Sequence, residues 1–132
     1  MAISSWLLAF GNMRNFREYN VYQQSIQLCV DIYRICKNFP SDEKFALVNQ
    51  LERAAVSISS NISEGSSRSS DVDFAHFLEI SLGSAFEVET QLTLAFKLHY
   101  IDLKTFEELI TQTETVQKGL GKFIGILRKQ SI

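Results

Sequence analysis

His76, His99, Cys29, Cys36 and fifteen acidic side chains are the groups of this 132-residue chain that could hold a metal ion or move a proton. A carboxylate-bridged di-metal site in a helical protein needs Glu-x-x-His on two helices and two further inward glutamates. The nearest pattern, His76-x-x-Glu79, runs in the reverse order, and His99 falls where a helix is expected to end, so His76 reads as solvated and His99 as packing in a loop. Cys29 and Cys36 lie seven residues apart in one expected helix. At ~1.5 Å rise per residue their backbones stand roughly 10 Å apart, too far for a disulfide, so both read as small buried apolar groups.

Gly65-Ser66-Ser67-Arg68 lacks the preceding strand and the lysine of a phosphate-binding loop, and no serine sits in a nucleophile elbow. The expected class is therefore not an enzyme, with no catalytic residue, metal or cofactor.

What remains is charge and its placement. The formal net charge is −2 and the pI near 5.7, so sequence-independent nucleic-acid binding would require the basic residues to be segregated in space. They are segregated along the chain: Lys118, Lys122, Arg128 and Lys129 follow the last acid, Glu114, while Arg14 and Arg17 open the expected domain and Arg68 sits in a central turn. These seven are the candidate phosphate contacts, the alternative being that the Lys and Arg at the end of the fourth helix only complement its dipole, with Glu18, Glu64, Asp71 and Asp73 as neutralising neighbours. A second set is polar at helical spacing: Gln50, Arg53, Ser57, Asn61 and Glu64 on one helix, and Ser84, Glu87 and Gln91 on the next. Flanked by small residues, these stripes read as a solvated face or as a hydrogen-bonded subunit interface, with Arg53 or Arg68 as charge partner of the Asn61–Glu64 region.

The elements that must carry these residues are helical almost throughout. A first helix is expected from about Glu18 to Asn38, with Val21, Leu28, Ile32, Ile35 and Phe39 on one stripe and Tyr22, Ile26, Cys29, Tyr33 and Cys36 on another. So wide an apolar face implies burial on more than one side. Pro40 ends it, and Ser41 is the expected N-cap of a second helix presenting Phe45, Val48, Leu51, Ala55, Ile58 and Ile62. Gly65 is expected in the left-handed conformation that closes this helix, and Ser70 caps a third, with Asp73 three residues on. That helix carries Phe74, Phe77, Leu78, Ala85, Val88, Leu92 and Ala95 and fades over 97–100. Asp102 caps a fourth, whose Phe106, Leu109, Thr113, Val116, Leu120, Phe123 and Leu127 form an unbroken heptad seam. Gly119, Gly121 and Gly125 along it suggest close approach of another backbone or deliberate looseness near the end.

Short connections between long amphipathic helices imply an all-α, antiparallel up-down-up-down four-helix bundle over residues 13–132. Residues 1–12 read as an extension without the basic leader of a secretory signal, and no apolar run reaches the roughly 20 residues a spanning helix needs, so a cytoplasmic chain with no membrane contact is expected. In such a bundle the start of the first helix, the turn between the second and third, and the end of the fourth share one pole.

From Met13 to about Leu127 the chain resembles the small four-helix bundle proteins encoded within intervening sequences of bacterial 23S ribosomal RNA genes. The resemblance is carried by Met13-Arg-Asn-Phe16-Arg, by the run from Arg53 through Asn61-Ile-Ser-Glu64-Gly65 to Arg68, and by Phe74-x-x-Phe77-Leu78, Gly83-Ser84 and Glu87-x-Glu89-Thr90-Gln91-Leu92. Ser59, Ser63 and Ser67 depart from the Pro, Ala and Gly usual there. The resemblance implies a ring-forming homo-oligomer, preferably a pentamer. Through the related accessory bundles of diversity-generating retroelements, it also implies contact with nucleic acid, RNA or DNA, and with a reverse transcriptase. The alternative is a protein-interaction adaptor that binds no nucleic acid.

Overall fold

The computed structural model describes residues 14–130; the expected extension over residues 1–12 lies outside them. After a 3-10 turn at Phe16–Glu18 come α1 (Asn20–Cys36), a second 3-10 turn (Ser41–Glu43), α2 (Leu47–Ser66), α3 (Asp71–Lys97) and α4 (Leu103–Gln130). No strand occurs among the described residues, and no helix there is long and apolar enough to cross a membrane.

The helix ends follow from local chemistry. At α3 the Ser70 hydroxyl accepts from the Asp73 backbone N–H at 3.1 Å, with Asp71 and Asp73 set against the positive end of the helix dipole. At α4 the Asp102 carboxylate accepts from the Thr105 N–H at 2.8 Å, and this backbone hydrogen bond holds its pKa below the usual aspartate value. α3 closes in a Schellman motif: Tyr100 N–H donates to Ala95 C=O, His99 N–H donates to Phe96 C=O, and His99 takes φ 64°. His99 is thus an exposed left-handed cap and not the loop-packing side chain expected of it.

Two further expectations fail at α2. Ser41 does not cap it: Ser41–Glu43 closes a separate turn, and α2 begins only at Leu47, behind Ala46 at φ −121°, ψ −104° with no side-chain cap. Phe45 therefore precedes the helix, so helical spacing no longer aims it inward, and it is 85% exposed. Phe39 and Tyr100, whose rings lie 5.4 Å apart, fill that end of the core. Gly65 is the other correction. It has no positive φ and lies buried inside α2, where its value is the missing side chain.

The core joins the expected stripes. Leu28 and Ile32 of α1, Leu51, Ile58 and Ile62 of α2, Phe74, Leu78, Val88 and Leu92 of α3, and Val116 and Leu120 of α4 are wholly enclosed. The α4 seam is inward as its spacing requires, with Phe106 and Phe123 half-buried at its ends. Only one α1 stripe is covered well: Ile26 and Tyr33 on the other keep 40% and 43% of their surface exposed.

Cross-helix contacts give the register. Residue numbers fall on α2 as they rise on α3, from Gly65 against Phe77 to Ile58 C=O accepting from Ser81 Oγ at 2.8 Å and Ser57 bonded to Ser84 at 2.9 Å. They fall likewise along α4 against α3, from Phe123 beside Phe74 to Gln117 donating to Glu89 at 2.8 Å and Phe106 stacked on Phe96. Against α1, α4 runs from Phe123 beside Tyr19 to Gln112 donating to Asp31 at 3.2 Å.

Candidate nucleic-acid interface

The basic residues expected at one pole have different surroundings. Arg14 donates to Asp71 at 2.7 Å and to the backbone carbonyls of Ser66 and Arg68, with its guanidinium carbon 4.9 Å from the Phe74 ring centre. It ties the entry of the chain to the α2–α3 turn. Arg17 lies 4.4 Å over Phe16 and donates to Asn15 at 3.4 Å. Arg68 lies 4.5 Å over Phe77 and 3.5 Å from Glu64, and Arg128 pairs with Glu79. All four arginines are engaged within the fold.

The three lysines are different. Lys118, Lys122 and Lys129 are exposed and have no hydrogen-bond, ion-pair or ring partner among the described residues. Spaced by four and seven, they project from one face of α4. Gly125 lies on that face and Gly121 beside it, and a Cβ at either would meet nothing within 4 Å. The close approach expected of these glycines is therefore not made among the described residues. Gly119 alone makes it, its Cβ position lying 3.2 Å from Val21. Lys122 borders a groove of about 480 Å³ between α1 and α4 that Asn20, Gln24 and Thr115 share. The surface offers free cations, amide and hydroxyl groups, and two positions without side chains, which suits it to an anionic backbone.

The polar stripes meet in a second groove, of about 390 Å³, between α2 and α3. Arg53, Ser57, Ser84, Glu87 and Gln91 border it. Asn61 lies outside that lining and turns back on its own helix, donating to Ser57 C=O at 2.9 Å and Ser57 Oγ at 3.0 Å. Glu64 pairs weakly with Arg68, as one of the two expected partners, and not with Arg53. Gly65 sits below, against Phe77.

Both cysteine thiols are held protonated. Burial first, and then the Glu52 carboxylate, pushes the Cys36 thiol up to about 12, and the same causes raise Cys29. Among the described residues no three His, Cys, Asp or Glu side chains gather to hold a metal. Sequence reasoning missed Ser81, whose buried hydroxyl bonds across to α2; its place in the 74–78–81–85 repeat was the available signal.

The profile of the 23S rRNA-intervening sequence proteins matches residues 17–122. The chain belongs to that family. Among solved structures, this 23S rRNA-intervening sequence protein is similar to a protein of unknown function from the S23 ribosomal protein family of Bacteroides thetaiotaomicron. The two are 30% identical and superpose with a TM-score of 0.74 over 79% of this chain and 97% of that one. No curated protein matches the sequence. Within the family member described here, Lys118 and Lys122 fall inside the matched span, while Arg14, Arg128 and Lys129 fall outside it.

Proposed function

We propose that this protein is a non-enzymatic, self-associating bundle that contacts the phosphate backbone of structured RNA through the outward lysines of α4. The observation that carries the reading is the division of the basic residues: four arginines are engaged within the fold, while Lys118, Lys122 and Lys129 have no partner among the described residues and lie on one face. A net charge of −2 is compatible with this because no acid follows Glu114. The falling register between α2 and α3, α3 and α4, and α1 and α4 supports an antiparallel up-down-up-down arrangement. The exposed Ile26, Val30 and Tyr33 on α1 support association with further copies, in the ring that family membership suggests.

The test is salt-dependent retention of structured RNA. Each phosphate contact contributes about 0.7 on single strands, or about 0.9 on B-form duplex, to the log–log salt slope. Lys122→Glu with Lys129→Glu should weaken retention and flatten the slope by about two contacts' worth while fold and assembly persist. Absence of retention by the unmodified protein at ~50 mM salt, where such contacts are strongest, removes the reading and leaves a protein-interaction adaptor, with a reverse transcriptase among its candidate partners.

A further inference from the structure

The groove between α2 and α3 holds two charges that do not meet. Ser84 bonded to Ser57 at 2.9 Å fixes the level of the two helices. Residue numbers fall on α2 as they rise on α3, so one turn beyond that bond Arg53 stands level with Glu87, and a second turn brings Gln50 level with Gln91. Arg53 and Glu87 are exposed and border the same groove of about 390 Å³. They form no ion pair with each other or with any other described residue. An exposed pair gains little by closing, so the fold loses almost nothing by keeping the two charges apart and available.

Gln91 is an independent observation at the same place. It borders the groove and is only 8% exposed, yet its Oε1 is buried with no hydrogen-bond donor. Native proteins rarely leave such an acceptor unmet. The hydroxyls beyond it are already engaged, Ser84 with Ser57 and Ser57 with Asn61. The terminal torsion of a glutamine is soft, so a turn of the amide presents Oε1 to a donor arriving in the groove. The volume falls within the roughly 300–1,000 Å³ of small-molecule sites, toward the lower end.

We propose that this groove binds a free amino acid, its carboxylate on Arg53 and its ammonium between Glu87 and the Gln91 amide oxygen. The guanidinium offers parallel N–H donors that match a carboxylate. An ammonium has three donors and no acceptor, which suits a carboxylate and an amide oxygen together. A neutral ligand would leave both charges unmet, an anion would face Glu87, and a cation would face Arg53. A zwitterion satisfies all three groups at once. Asn49 and Gln50 border the same groove without side-chain partners among the described residues, and they remain for the ligand's own side chain. The site is separate from the lysine face of α4.

Calorimetric titration of the full chain with each standard L-amino acid tests the site, and at least one should bind with a Kd below about 1 mM. The N-acetyl and carboxamide derivatives of that amino acid each lack one charge. Each should bind about tenfold more weakly or worse, the loss of one hydrogen bond to a charged group. Glu87→Gln should bind the free and N-acetyl forms alike, and Arg53→Gln the free acid and the carboxamide alike. Both positions are exposed and unpartnered among the described residues, so neither change should alter the melting temperature. Gln91→Leu removes the orphaned acceptor and should weaken binding while the ligand-free melting temperature stays level or rises. Lys118→Gln with Lys122→Gln and Lys129→Gln should bind the amino acid as the parent does, so this site and the RNA reading stand or fall separately. Absence of binding by every amino acid, equal binding of the blocked forms, or parent-like affinity in both Arg53→Gln and Glu87→Gln overturns the assignment.

Discussion

A Cβ built on Gly65 would lie 2.5 Å from the Cβ of Phe77 and 3.1 Å from the Phe74 ring. The last turn of α2 and the first turns of α3 are thus in contact with no room for a methyl group, and the neighbour in the way is a side-chain stem that cannot swing aside. Gly65→Ala should therefore destabilise the fold by about 1–3 kcal/mol, as overpacking does. Gly125→Ala, where space is open, should stabilise it by up to about 1 kcal/mol. Denaturant midpoints of the two variants should move in opposite directions; a shared direction would refute the packing assigned to Gly65.

His99 holds φ 64° while closing α3, a conformation that costs an L-residue roughly 1–2 kcal/mol. Its side chain is exposed, so little is lost with it. His99→Gly should raise stability by about 1 kcal/mol, or about 4 °C in melting temperature for a chain of this length. A fall in melting temperature would mean that the imidazole makes a contact worth more than the strain.

These two positions mark where the sequence was legible and where it was not. Ser70 and Asp102 announced their helices because a capping side chain acts on amides two or three residues away, and local chemistry of that range is readable. The α4 seam was readable for the same reason that it folds: one period is sustained over seven positions. Gly65 and His99 exchanged their expected roles because a glycine at a helix end has two uses, a left-handed cap or a close approach. The choice depended on Phe77, twelve residues away. Phe45 failed likewise: α2 begins at Leu47 and not behind Ser41, and Phe39 and Tyr100 occupy that end of the core. The basic pole was legible as a location, but its division into engaged arginines and free lysines depended on Asp71, Phe74, Phe77 and Glu79 arriving from α3.

Cys36 gives the fold a defined alkaline limit. Its thiol is raised from an ordinary value of 9.0 to about 12 by burial and by Glu52, so the folded state keeps a proton that the unfolded chain releases. Stability should hold below about pH 9 and fall as pH rises toward 12, because over that window the unfolded state binds fewer protons. Tyr19, also raised by burial, acts in the same direction. In Cys36→Ala the alkaline fall should be shallower, whatever the variant loses in packing at neutral pH. A thiol reagent at pH 8 should leave native Cys36 unmodified and label it on unfolding; equal slopes for variant and parent would show that Cys36 titrates normally.

Arg14 and Lys122 belong to one basic pole and should answer to different measurements. Arg14 keeps 25% side-chain exposure while its guanidinium joins Asp71, two backbone carbonyls and the Phe74 face, so Arg14→Ala leaves a carboxylate and two carbonyls short of a donor. Hydrogen bonds to charged groups contribute about 1.5–3 kcal/mol each, reduced here by partial exposure, so a loss of about 1–2 kcal/mol is expected. Lys118→Gln, Lys122→Gln and Lys129→Gln together remove no partner among the described residues and should leave the melting temperature almost unchanged, within about 0.5 kcal/mol per site. The order should reverse in RNA retention. The lysine variant should lose salt-dependent binding, whereas Arg14→Ala, measured well below its melting temperature, should keep the parent's salt slope. An Arg14→Ala protein that stays folded and loses the slope would place the arginine on the phosphate instead, and the distinction between engaged and free cations would fall with it.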